Sequence, residues 1–304
     1  MTKATHEGYV AVPGGQVWYK IVGSGDALPL LTLHGGPGAG HDYLEPLEAL
    51  AAERPVLFFD QLGCGNSDKP DDLSLWRLER FVEEVAAVRK ALGLERVHLF
   101  GNSWGGWLAI EYMMGKPSGV TSLTLASTSS SMRQYAEETA RLKASLPQEV
   151  QDTLNRYEAV GDYHNPEYEE AMMAFYTAFV CRLDPWPEPL MRTLNNVVSN
   201  PVVYETMQGP NEFTITGNLK GWDRTDRLGE IAVPTLITCG RYDEVGPACA
   251  ETLYRGIPNS EMHIFEQSAH MAHLEETERY LQLLRDFLSR AERKVNQPYQ
   301  ERIT

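Results

Sequence analysis

Val97-His98-Leu99-Phe100-Gly101-Asn102-Ser103-Trp104-Gly105-Gly106 sets an apolar run directly against a serine flanked by glycines. The run reads as a buried strand, and the residues after Ser103 read as a helix. A GxSxG pattern between a strand and a helix predicts a sharp turn that lifts the serine clear of the sheet, with small residues at 101 and 105 leaving room for neighbouring backbone. The N–H of the residue after the serine points at the same place. A chance GxSxG in a loop has neither the strand before it nor the helix after it.

Outward from this turn the chain alternates. On the N-terminal side, YVAV and QVWYKIV flank Pro13-Gly14-Gly15 as a hairpin between Glu7 and Val22. LPLLTLH, a helix near Tyr43 to Ala52, RPVLFFD and a helix from Leu75 to Leu92 follow. On the C-terminal side comes VTSLTLAS. Apolar runs alternating with helical periodicity predict an α/β architecture, a mostly parallel sheet with crossover helices. Between about Ser129 and Leu228 the rhythm becomes helical, with prolines at 185, 187 and 189. Alternation returns with VPTLITCG from Val233, a helix over Pro247 to Arg255, the strand EMHIFE and an amphipathic helix from Met271 to Ala291. The expected organisation is a core over 1–128, an inserted helical cap over 129–228 and a second core segment over 229–304. The final KVNQPYQERIT reads as a polar tail.

Composition narrows the class. The 304 residues are 42% hydrophobic and 23% charged, enough to bury a large core. With 27 Lys plus Arg against 42 Asp plus Glu, the net charge of −15 argues against nucleic acid or an anionic membrane surface and favours a cationic or amine-bearing ligand. No apolar run approaches the roughly 20 residues of a membrane span, and MTKATHEGYVAV lacks the apolar stretch of a secretory signal, so a soluble cytoplasmic protein is expected. Cys64, Cys181, Cys239 and Cys249 form no CxxC pair and have no histidine at zinc-ligand spacing, which predicts reduced thiols and no structural metal.

A serine nucleophile needs a histidine to accept its proton and an acid to orient that histidine. Asp243, in Gly240-Arg241-Tyr242-Asp243-Glu244, and His270, in Gln267-Ser268-Ala269-His270, each follow a strand, where parallel sheets place their ligand sites. The chain order is Ser103, Asp243, His270. His263, inside a strand, and His273, in the following helix, compete as bases, and Glu244 competes for the acid role; the loop position of His270 and the shorter side chain of Asp243 favour the first assignment. Leu33-His34-Gly35-Gly36-Pro37-Gly38 supplies a glycine-rich turn, so the Gly36 and Trp104 N–H groups are the candidate oxyanion donors. Asp60-Gln61-Leu62-Gly63-Cys64-Gly65-Asn66-Ser67 reads as a structural turn, and Cys64 has no identifiable activator. The aromatics Phe175, Tyr176, Phe179, Trp186, Tyr204, Phe213 and Trp222 can line a pocket, although aromatics on helices more often form core.

HGGPG at 34–38, DQLGCGNSD at 60–68, GNSWGG at 101–106, GPNEFTITG at 209–217 and PTLITCGRYDE at 234–244 together resemble the proline iminopeptidase family of α/β-hydrolases over nearly the whole chain, in particular its tricorn-interacting aminopeptidase and amino-acid amidase branch. The resemblance implies Ser103, Asp243 and His270 as a triad, Gly36 and Trp104 as oxyanion donors, Glu212 and Glu244 as holders of the substrate's free α-amino group, and a helical cap over the cleft. Two carboxylates facing one ammonium select a free N-terminus over a blocked one. The implied activity is release of an N-terminal residue, proline among the candidates, from short peptides or amino-acid amides through an acyl-enzyme, with no cofactor or metal and no nucleic-acid or membrane partner. A small-molecule amidase or esterase shares this machinery, and a non-catalytic binding protein would not require it. Carboxylate-nucleophile chemistries are disfavoured because the elbow residue is Ser103. Oligomeric state is left open.

Overall fold

The computed structural model describes residues 5–296, in which eight strands form one sheet. β1 (Thr5–Val12) and β2 (Gly15–Val22) make the expected antiparallel hairpin. β3 (Leu30–Leu33), β4 (Val56–Phe59), β5 (Val97–Asn102), β6 (Val120–Ala126), β7 (Thr235–Gly240) and β8 (Ser260–Phe265) complete the order β1-β2-β4-β3-β5-β6-β7-β8. β2 joins β4 antiparallel, and every later pairing is parallel.

Period-two side-chain alternation divides the sheet between two cores. Leu31, Leu33, Leu57, Phe59, Leu99 and Ile237 pack on one face with Phe81, Val85 and Val88 of α1 (Leu78–Ala91) and Leu108 of α2 (Trp104–Met114). Their neighbours Leu30, Val56, Phe58, Phe100 and Leu236 pack on the other face with Leu44, Leu47 and Leu50 of the segment Asp42–Ala52. That segment is a 3-10 helix with Pro46 inside it, where the sequence suggested an ordinary helix; proline has no N–H to donate to an α-helical ladder.

No strand lies between β6 and β7, and the chain there forms α3 (Met132–Lys143), α4 (Gln148–Glu158), α5 (Pro166–Phe179), α6 (Glu188–Ser199) and α7 (Val202–Met207). Asn165 caps α5 by accepting the Glu167 N–H at 3.1 Å, with Pro166 in its first turn. Leu142, Leu154, Tyr168 and Phe175 of α3 to α5 form a third, separate core. α8 (Pro247–Gly256) follows β7, and after β8 the anticipated single helix is split at Glu276 into α9 (Ala272–Glu275) and α10 (Thr277–Asn296). The polar tail expected from the sequence begins in α10 and otherwise lies outside the described residues.

Candidate active site

Ser103 sits between β5 and α2 at φ 56°, ψ −124°, a conformation that costs an L-residue roughly 1–3 kcal/mol. The surroundings enforce it. The Ser103 N–H donates to Ala126 O at 3.0 Å, and Thr128 Oγ1 donates to Ser103 O at 2.8 Å. A Cβ on Gly101 would come within 2.3 Å of Gly105 O, and one on Gly105 within 2.0 Å of Leu33 O, so the close approach of β3, β5 and α2 requires both glycines. Trp104 buries its indole against Phe81 and Trp107 and donates Nε1–H to Gln61 Oε1 at 2.8 Å. Its side chain is thereby taken up in the core, and as the first helical residue it has no intrahelical acceptor for its N–H.

The loops after β7 and β8 bring Asp243 and His270 together. His270 Nδ1 donates to Asp243 Oδ1 at 2.7 Å, which leaves Nε2 as the acceptor nitrogen. Asp243 also accepts the Val245 N–H at 2.9 Å. Burial by itself would raise the Asp243 carboxyl, but the charge and hydrogen bond of His270, with Val245 and Ser127, hold it below the usual carboxylate range. Burial likewise opposes a charged His270, and the Asp243 carboxylate overcomes it and raises the imidazole. Glu244, the rival acid, lies 3.6 Å from Nε2 and does not bond Nδ1. The rival bases are elsewhere: His273 is buried and directed at Tyr43 O at 3.1 Å, with burial lowering it to about 4, and His263 stays on β8 beside Phe265.

Glu212 and Glu244 line the same cavity. Glu212 accepts Tyr135 Oη at 2.8 Å and Tyr204 Oη at 2.6 Å. Glu244 is buried, and its Oε2 has no hydrogen-bond partner. Burial, then Glu212 and Asp243, push its carboxyl well above the usual range. The backbone N–H groups of Glu244 and His270 both donate to Phe179 O, at 3.1 and 3.2 Å, so the last carbonyl of α5 holds both loops.

Several supporting residues carry no sequence signal beyond their motifs. Tyr43 Oη accepts the Gly35 N–H at 2.7 Å and donates to Asn102 Oδ1 at 2.6 Å, tying the glycine-rich turn to the residue before the nucleophile. Buried His34, lowered to about 4 by desolvation, accepts the Gln61 N–H at 2.9 Å, and Gln61 Nε2 donates back to His34 O at 3.0 Å. Asp60 organises its own turn, accepting His41 Nδ1 at 2.7 Å and the Asn66 N–H at 2.8 Å. His, Gly and Asp in short turns announce the turn, whereas their cross-partners Tyr43 and Asn102 are invisible until the fold pairs them. His41, Asp42 and Glu45 stand within metal-ligand reach of one another, but Arg192 already pairs with both carboxylates, at 2.8 and 2.6 Å. All four cysteines are buried and unbridged.

Ser103, His270, Gly36, Glu212 and Glu244 share one cavity of about 310 Å³. Of the seven aromatics singled out from the sequence Tyr176 and Tyr204 line it, together with Tyr163, which was not singled out, while Phe175 and Trp222 are core. No helix among the described residues is long and apolar enough to cross a membrane.

With a strained serine, a His–Asp pair and a carboxylate pair around one cavity, the relatives are informative. The family model for the alpha/beta hydrolase fold matches residues 29–277. The proline iminopeptidase of Heyndrickxia coagulans is 45% identical, covering 93% of this chain and 98% of that one, and that of Saccharolobus solfataricus is 42% identical, covering 93% and 92%. Among solved structures, VinJ superposes with a TM-score of 0.92 at 37% identity, covering 94% of this chain and 99% of that one. The Mycobacterium smegmatis proline iminopeptidase superposes with a TM-score of 0.89 at 36% identity, covering 95% and 100%. The chain is therefore an α/β hydrolase and belongs to the proline iminopeptidase family.

Proposed function

We propose that this chain is a serine aminopeptidase that releases an N-terminal residue, proline foremost, from short peptides or amino-acid amides. Ser103 is the nucleophile, His270 the base and Asp243 its orienting acid; Gly36 and Trp104 donate to the oxyanion, and Glu212 and Glu244 hold the substrate ammonium. The segment 129–228 acts as the cap between core segments 1–128 and 229–304, and the enzyme works in the cytoplasm without nucleic acid. The relatives named above support the peptide substrate.

The reaction follows from the positions. Ser103 Oγ attacks the carbonyl carbon as its proton passes to His270 Nε2, and the Asp243 carboxylate stabilises the imidazolium. The oxyanion gains the two N–H groups. The C–N bond breaks, the proton leaves on the departing amine, and water repeats the sequence on the acyl-serine, returning Ser103 its proton.

The observation that carries the aminopeptidase reading is the orphaned Oε2 of Glu244 in a space shared with Glu212. A carboxylate kept dry without a partner costs several kcal/mol, and a substrate ammonium offsets that cost while favouring the ionised form. A panel of prolyl and other aminoacyl 4-nitroanilides, each free and N-acetylated, tests it. Cleavage confined to free amines is the expected result; equal cleavage of the acetylated compounds replaces this reading with that of a general amidase or esterase.

A further inference from the structure

The cavity has a dry end and a wet end. Ser103, His270, Glu244 and Glu212 are buried or half-buried, and the exposed residues of the lining are His164, Glu169, Val198 and Glu205, at the rim formed by α5, α6 and α7. Given the aminopeptidase reading, on which this inference rests, the substrate amine is fixed at Glu212 and Glu244 and its carbonyl at Ser103. Whatever lies beyond the scissile bond then runs towards that rim. On the way it meets Met172, Leu194, Val197 and Pro201.

Among the described residues no lysine or arginine lines this cavity. Glu169 and Glu205 at the rim have no ion-pair partner among the described residues, unlike Glu158 and Glu188, which pair with Lys143 and Arg192. A dipeptide carries its α-carboxylate only one carbon beyond the scissile nitrogen. That anion would lie among apolar side chains, with two further carboxylates ahead of it and no cation to receive it. Desolvation and like-charge repulsion oppose it together.

We infer that the site is built for leaving groups that carry no carboxylate next to the scissile bond: a simple amide, an uncharged apolar amine, or a peptide long enough to place its C-terminus outside the rim. An uncharged leaving amine takes its proton from His270 and departs through the apolar passage without meeting either penalty.

The test compares matched substrates on the full-length enzyme: a prolyl dipeptide acid, the same dipeptide with a C-terminal amide, and the tetrapeptide acid. The expected kcat/KM of the amide exceeds that of the dipeptide acid by roughly tenfold or more, and lengthening the acid to the tetrapeptide closes most of the gap. Glu169→Gln combined with Glu205→Gln, both at exposed positions, narrows the amide-to-acid ratio by about threefold, and raising the ionic strength narrows it in the same direction. A dipeptide acid cleaved as well as its amide overturns the inference, and the aminopeptidase reading stands so long as N-acetylation still blocks cleavage. Acetylated and free amides cleaved alike overturn the aminopeptidase reading itself. A ratio unmoved by the double substitution removes the rim carboxylates from the explanation.

Discussion

Two sets of serine, histidine and acid among the described residues invite comparison: Ser103, His270 and Asp243, of which the serine and the histidine line the cavity, and Ser122, His98 and Glu292, of which the serine and the histidine are wholly buried. In the sheet, His98 Nδ1 meets Ser122 Oγ at 2.7 Å and His98 Nε2 meets Glu292 Oε1 at 2.9 Å, and Arg54 Nη1 shares the same carboxylate oxygen at 2.7 Å. Ser122 and His98 are both 0% exposed. At the site, the imidazole bonds its acid at 2.7 Å, and Ser103 Oγ makes no hydrogen bond among the described residues. The closed network is the satisfied one. Burial lowers His98 to about 4, with Arg54 adding to the effect, so it stays neutral and holds α10 to the sheet. His270 is raised, against its burial, by the Asp243 carboxylate, which no arginine bonds among the described residues. In the buried network the serine is locked to the imidazole, whereas Ser103 Oγ is free of hydrogen bonds among the described residues and lines a cavity; on the proposed reading, access and the neighbouring charge separate the two.

The comparison breaks most sharply at the serines. Ser103→Ala is expected to lower kcat on the order of a thousandfold or more with the thermal midpoint unchanged, measured by turnover of a prolyl anilide alongside calorimetry. A variant retaining near-normal turnover would remove Ser103 from the mechanism. His270→Ala should lose a comparable factor, and His273→Ala much less, because its ring reaches only Tyr43 O. The reverse ranking transfers the base to His273.

At the amine end, Glu212→Gln or Glu244→Gln should lower kcat/KM for free-amine substrates by roughly ten- to a hundredfold, since a charge-assisted hydrogen bond to a buried ammonium is worth about 1.5–3 kcal/mol. Hydrolysis of a small neutral ester should survive, because that substrate needs no anchor. An equal loss on both substrates would mean damage to the machinery instead.

Acidity separates the histidines again. His34, His98 and His273 are lowered to about 4 in the folded chain. A depressed imidazole contributes stability that is present above its unfolded value near 6.5 and is lost as pH falls towards 4, on the order of 3 kcal/mol for each group at most. Raised carboxyls such as Glu84 and Glu244 act in the opposite sense over the same window, so the rings are read by difference: His98→Gln should lose less of its denaturant midpoint between pH 6.5 and 4 than the wild type does. Turnover has the other dependence: it falls as pH drops through the raised value of His270, before the fold is lost. An equal loss in His98→Gln and the wild type contradicts a buried neutral ring at that position. The smallest effect is at Ser122→Ala, about 1 kcal/mol of stability with turnover intact, the mirror image of the Ser103 result.

How far the sequence revealed these features depended on whether their signal was local. Strand–turn–helix alternation exposed the parallel sheet, and the GxSxG turn located Ser103, because both are written in neighbouring residues. Asp243 and His270 could be found only as loop residues after strands, with rivals at Glu244, His263 and His273 that geometry separates. The Tyr43–Asn102 and His34–Gln61 bonds were not legible at all: each joins groups far apart in the chain whose partner is chosen by strand order. The helical run between β6 and β7 was visible as a loss of alternation, but which aromatics reach the cavity depended on the facing of short helices, and five of the seven named turned elsewhere.

One carbonyl closes the account of the cap. Phe179 O receives the amides of both Glu244 and His270, so the end of α5 is clamped to the catalytic loops. Lifting α5 would break both bonds in the same stroke, whereas the α6–α7 side of the cavity, where Val198 and Glu205 are exposed, makes neither. In hydrogen–deuterium exchange, the amides of residues 244 and 270 should then exchange slowly and together, and those around residues 198–205 should exchange first.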